Sequence, residues 1–196
     1  ARDAPLYCVI GNHEDENGYL LDGTPNTIPV WAANSRLEYY PNPRPDSFYT
    51  GNSFPEPNIN EGGLLENWYS WTWGDALFVT LDPYWHSKNP VDNVAGVSAD
   101  ATQGGGKQGG SKTTDLWSIG IGDTQYQWLK TTLESSKAKF KFVFAHHVMG
   151  TGRGGVEVST GYEWGGQDPK GKKSFAEMRP NWELPIHDLM VKNGVS

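Results

Sequence analysis

Cysteine is almost absent: Cys8 is the one example in 196 residues, so no internal disulfide can form and no cysteine-based zinc cluster can be assembled. It lies in a short apolar run, where a thiol behaves as a small, inert core residue. Basic residues are also scarce. Sixteen Lys and Arg stand against 23 Asp and Glu, a formal net charge of −7. That balance argues against a nucleic-acid backbone as the main partner, because such binding needs clustered cations. An anionic substrate remains compatible with it, since a bound metal reverses the local field. No stretch approaches the roughly 20 apolar residues of a membrane-spanning helix. The chain opens on Ala1 without the basic, apolar and small-residue succession of a signal peptide, and the expectation is that the native start is missing or removed.

With 36% hydrophobic and 20% charged residues, the composition is that of a soluble globular protein. The length suits one domain over residues 1–196 with a sizeable core. Nine Trp, 24 Gly and 13 Pro in a Lys-poor chain fit an exported protein, extracellular or periplasmic, with long ordered loops.

Periodicity then sets the elements. The run Leu6-Tyr7-Cys8-Val9-Ile10, stopped by Gly11, predicts a strand buried on both faces, which puts Gly11-Asn12-His13-Glu14 at a strand's C-terminal end, where open α/β architectures bind ligands. Residues 15–66 are rich in Asn, Pro and Gly and read as a long loop region with short strands at most. Tyr69, Trp71 and Trp73 alternate with Ser70 and Thr72 as in a half-buried strand, and Gly74-Asp75 turns the chain into a returning strand over residues 76–82. The stretch at residues 103–110 invites comparison with a phosphate-binding loop, but no Gly-Lys-Ser or Gly-Lys-Thr closes it and no apolar strand precedes it; it reads as a surface loop. A helix is expected from about Asp123 or Thr124, with Thr124 and Gln127 as a capping box and Tyr126, Leu129 and Leu133 as its apolar face. Next comes a strand, Phe140-Lys141-Phe142-Val143-Phe144-Ala145, that delivers His146-His147. A second Gly-rich loop runs from Gly150 to about Arg179, and a last helix is expected from Pro185 to Gly194. Strands alternating with helices give an α/β class.

The chemistry sits at two strand ends, Gly11-Asn12-His13-Glu14 and Ala145-His146-His147. The first matches the Gly-Asn-His-[Asp/Glu] block of calcineurin-like metallophosphoesterases, and the second resembles that family's lone His after a strand. The intervening order, an aromatic hairpin ending Leu81-Asp82 followed by a helix with Gln125 and Trp128-Leu129, is also similar. Purple acid phosphatases and secreted phosphodiesterases share this region, so the subfamily stays open. The resemblance implies a sandwich of two mixed β-sheets flanked by helices, here incomplete at both ends, because the family's Asp-x-His, Gly-Asp-x-x-[Asp/Tyr] and Gly-His-x-His blocks are not in these 196 residues. It implies hydrolysis of a small-molecule phosphate ester at a dinuclear centre of two divalent or trivalent ions, Mn, Zn or Fe, with a metal-generated hydroxide attacking phosphorus. Asn12 carries over as a neutral oxygen ligand, His146 as an imidazole ligand of the same metal, and His13 as the catalytic residue beside the scissile phosphate. Two ligands do not hold such a centre, so this stretch by itself is expected to be inactive.

Blander readings stand beside these. Gly-Asn-His-Glu is also a turn with Asn in a left-handed conformation. Glu14 and His147 read as neighbours without a metal bond, His187 as a solvated or helix-packing residue, and His86 and Arg153 as surface residues near a rim. Tyr162, Glu163 and Trp164 border a cleft only if their loop folds over the site. The competing functions are a Trp- and Gly-rich carbohydrate- or partner-binding module, and a degenerate phosphoesterase scaffold without catalysis.

Overall fold

The computed structural model describes residues 5–11, 13–60, 62–88, 116–146, 161–168 and 170–196. Among these, one four-stranded mixed sheet forms, in the order β1 (Thr50–Gly51), β2 (Tyr69–Trp73), β3 (Ala76–Thr80), β4 (Phe140–Phe144). The first two pairings are antiparallel and the β3–β4 pairing is parallel. Five helices accompany it: α1 (Ile28–Tyr39), α2 (Gly122–Ser135), α3 (Tyr162–Gly165), α4 (Phe175–Met178) and α5 (Ile186–Lys192). The α/β class expected from the sequence is therefore present, as a single sheet among the described residues.

The β2–β3 hairpin closes on Gly74-Asp75, with Trp73 opposite Ala76 and Gly74 at φ 56°, a conformation glycine adopts at low cost. Parallel strands need a crossover, and here it includes α2. Leu77 and Val79 of β3, with Leu81 just after it, face Tyr126, Leu129 and Leu133 of α2, and Ile186 and Leu189 of α5 complete this core. Lys141 of β4 is buried on the same side. Its ammonium donates to Leu133 O at 3.1 Å and Asn193 O at 2.8 Å, satisfying carbonyls at the ends of both helices. The opposite sheet face carries a row of stacked rings: Tyr7 on Trp71 at 4.0 Å, Trp71 on Phe78 at 4.9 Å, and Phe78 on Phe142 at 5.6 Å. Exposure grows along β2, from buried Tyr69 and Ser70 to Trp73 at 72%, so a gradient along the strand replaces the expected half-buried alternation.

Several boundaries differ from the sequence reading. Among the described residues, 6–10 have no ladder partner. Asn42 pairs with Cys8 instead, accepting from its N–H at 2.9 Å and donating to its C=O at 3.1 Å, and the Tyr69 hydroxyl donates to the same carbonyl at 2.9 Å. Side chains thus do for this backbone what a neighbouring strand would do. The supposed loop over residues 15–66 contains α1, whose Val30, Ala33 and Leu37 share the buried side at helical spacing. Pro29 lies in its first turn, where the missing N–H costs nothing. In α2 the N-cap is Ile121 and no side chain caps the helix; the anticipated Thr124 capping box does not form, because the helix starts one turn position earlier, at Gly122 with φ 80°. Pro185 is the N-cap of α5 rather than its first helical residue. The Gly-rich stretch ending near Arg179 contains α3 and α4 in its described part. Residues 103–110, Asn12, His147 and Arg153 lie outside the described residues.

Candidate functional site

The two histidine-bearing segments, far apart in sequence, meet in space. Gly11 is buried, and a Cβ built on it would overlap Glu14 Oε2 and stand 3.1 Å from Cε1 and 3.2 Å from Nδ1 of His146. The imidazole delivered by β4 therefore rests against the Gly11 backbone, close enough that an added methyl would crowd it. Within the turn, Glu14 N–H donates to Gly11 O at 3.4 Å and Asp15 takes φ 60°, a left-handed value that Asp tolerates better than most residues. His13, Glu14 and His146 are all exposed. The sequence pointed to Asn12, His13 and His146; the structure brings His146 against Gly11, two residues before His13, and Asn12 lies outside the described residues.

Behind this surface lies a buried polar bed. Glu16, just after the turn, accepts from Arg36 of α1 in a forked pair, Nε to Oε1 at 2.5 Å and Nη2 to Oε2 at 3.1 Å. Arg36 also donates to Leu65 O. Burial pushes the Glu16 carboxyl up, and Arg36 offsets this only in part. Asp82, at the end of β3, is fully buried. One of its oxygens accepts from Tyr84 N–H at 2.7 Å and the other from Asn67 Nδ2 at 2.6 Å, while Asn67 in turn accepts from Asn52 at 2.9 Å. Gln125 of α2 clamps the Asp82 backbone from both sides, accepting from its N–H at 2.9 Å and donating to its C=O at 2.7 Å. Burial raises the Asp82 carboxyl to about 6, against the lowering effect of its donors and of Arg36. The loop so fixed carries Tyr84, whose ring centroid is 6.3 Å from that of His146.

Sequence reasoning missed this bed. Asp82 had a signal, a carboxylate ending an apolar strand one sheet position from the His-bearing strand. Arg36 and Glu16 had little, because the helix that joins them was read as loop.

An exposed imidazole and a carboxylate converging on Gly11 are donor types that suit first-row divalent ions. Among the described residues, no group of three or more His, Cys, Asp and Glu gathers closely enough to hold a metal. His146 and Glu14 alone do not make a ligand set, and Asp82, with each oxygen accepting a hydrogen bond, adds nothing to it. Also among the described residues, no helix is long and apolar enough to cross a membrane. Comparisons with protein-family models, with curated proteins and with solved structures each gave no match.

Proposed function

We propose that these residues form part of a calcineurin-like, metal-dependent phosphoesterase, a sandwich of two mixed sheets that hydrolyses small-molecule phosphate esters at a dinuclear centre. The observation that carries this reading is the contact of the His146 ring with Gly11: the resemblance requires the Gly-Asn-His-Glu turn and the strand-ending histidine to line one site. In this reading Asn12 and His146 hold metal, and His13 stands exposed on the same turn to stabilise or protonate the leaving oxygen. Two ions, when bound, would activate water and neutralise the phosphoryl oxygens. The role of the buried bed is positional: Glu16–Arg36 anchors the turn, and Asp82 fixes the loop that packs beside His146.

Five of the nine tryptophans, Trp68, Trp85, Trp117, Trp164 and Trp182, are buried. Their use as core weakens the alternative of a carbohydrate-stacking module.

The test is an assay of the native polypeptide that carries this sequence, with Mn, Zn or Fe, on phenyl phosphate and a phosphodiester. Expected are turnover abolished by chelation and restored by metal, and losses of roughly a hundredfold or more in His13→Ala and His146→Ala. Absence of metal-dependent turnover with every ion, or full activity in both variants, would overturn the proposal and favour a scaffold.

A further inference from the structure

A cleft of about 480 Å³ opens beside the N-terminus of α2, a size that suits a small organic ligand. It lies at the end of the parallel β3–β4 pair that also presents His146, the end at which open α/β sheets bind ligands. Trp117 on its wall packs in one cluster with Ile10 and Tyr84, and Tyr84 is the residue that neighbours His146. The cleft wall and the neighbour of His146 thus belong to one buried cluster.

The floor is rigid and already satisfied. Arg179 lies between the Trp117 and Trp182 rings, 5.6 and 5.5 Å from their centroids, and donates to Glu163 at 2.7 Å, to Met178 O at 2.8 Å and to Trp117 O. Glu163 also accepts from Ile121 N–H at 3.0 Å. Trp182 stacks on Tyr126 at 3.8 Å and donates to Asp123 at 2.6 Å. Trp182 is thus already engaged by both Tyr126 and Arg179, and the Arg179 charge is spent on Glu163.

The rim is what remains for a ligand. Lys88, Asp123 and Asn181 are exposed there, with half-buried His86 between them. Among the described residues, the Lys88 ammonium and the Asn181 amide have no hydrogen-bond partner. One cation and one anion cancel, and the set mixes donors with acceptors. A second phosphate would call for concentrated cations, and an apolar group would leave these side chains unpaired. A hydroxyl both donates and accepts, so the mixture matches hydroxyl groups.

We infer that this cleft receives the alcohol part of the phosphate ester, and that this part is a neutral polyhydroxylated group of the sugar class. The inference rests on the phosphoesterase reading and narrows it to a substrate class.

The experiment compares kcat/KM for a hexose phosphate with that for phenyl phosphate in the native polypeptide, in Lys88→Ala, in Asn181→Ala and in Lys137→Ala, an exposed substitution at the far end of α2. The wild type should favour the hexose phosphate, and this preference should fall roughly tenfold in each cleft variant, the scale of one lost hydrogen bond to a charged or amide group, while Lys137→Ala keeps it. A wild-type preference for phenyl phosphate, or cleft variants with an unchanged ratio, overturns the inference and leaves phosphoester hydrolysis standing. If neither ester is turned over, titration of the hexose phosphate followed by NMR decides: binding weakened roughly tenfold by Lys88→Ala upholds the cleft while the catalytic reading falls, and absence of binding overturns the cleft as well.

Discussion

Replacing Arg36 by methionine should destabilise the protein more than the loss of any exposed charge. The Arg36 and Glu16 side chains are 8% and 1% exposed, joined by two hydrogen bonds, with Leu65 O as a further acceptor. Methionine keeps most of the apolar stem but leaves the Glu16 carboxylate buried without a counter-charge, a loss of about 3–5 kcal/mol. In a chain of this size that lowers Tm by roughly 10 °C. Glu16 is already raised by burial, and losing Arg36 raises it further. A carboxyl whose folded pKa is raised contributes stability on the acid side of its range and loses it as pH rises through the folded value. The deficit should therefore be larger at pH 7 than at pH 5, because Glu16 in the variant takes up a proton as pH falls. The double variant Glu16→Gln/Arg36→Met should recover much of the loss, because it removes the uncompensated charge. Urea unfolding at both pH values measures all of this. A single variant within about 1 kcal/mol of wild type at pH 7, where the loss of a buried partner should show in full, or a deficit independent of pH, would refute the reasoning.

Gly11→Ala should cost little stability, under about 1 kcal/mol, because the new methyl displaces only the flexible end of exposed Glu14 and crowds exposed His146 slightly, yet under the phosphoesterase reading it should weaken metal-dependent turnover by shifting that ring; thermal unfolding and a metal titration of activity check both effects. Asp82→Asn sets an amide donor against the Asn67 amide that now donates to Asp82, at a cost of about 1–3 kcal/mol. Because the Asp82 carboxyl is raised to about 6, wild type loses this residue's contribution as pH rises from about 4 through 6, and the penalty of the variant, followed by urea unfolding, should be greatest at acid pH.

What the sequence made legible was local. The hairpin at Gly74-Asp75, the apolar face Tyr126, Leu129 and Leu133, and the strand before His146 each announce themselves by a period of 2 or 3.6 and lie where that period puts them. The meeting of His146 with Gly11 was legible only through the resemblance, because no period links such distant residues. Helix α1 was hidden because Asn34, Ser35 and Arg36 interrupt its apolar spacing, and Arg36 is buried only by virtue of Glu16. The stretch at residues 6–10 misled in the other direction: apolar content says that a segment is buried, whereas a strand also needs a ladder, and here Asn42 and Tyr69 take the ladder's place at Cys8.

The parallel register of β3 and β4 explains why one strand end became scaffold and the other surface. Thr80 stands opposite Phe144, and Leu81 N–H donates to Phe144 O at 2.8 Å, so Asp82 and His146 leave the sheet side by side at the same end. Gln125, in the first turns of α2, reaches over Asp82 and binds both its backbone groups, and Asn67 closes on its carboxylate from the hairpin side. His146 follows the edge strand and stays exposed, with the Gly11 backbone and Tyr84 near its ring. A buried carboxylate with both oxygens accepting hydrogen bonds holds geometry, while the imidazole beside it stands at the surface. The crossover helix that builds the core thus also holds Asp82 buried beside the exposed His146.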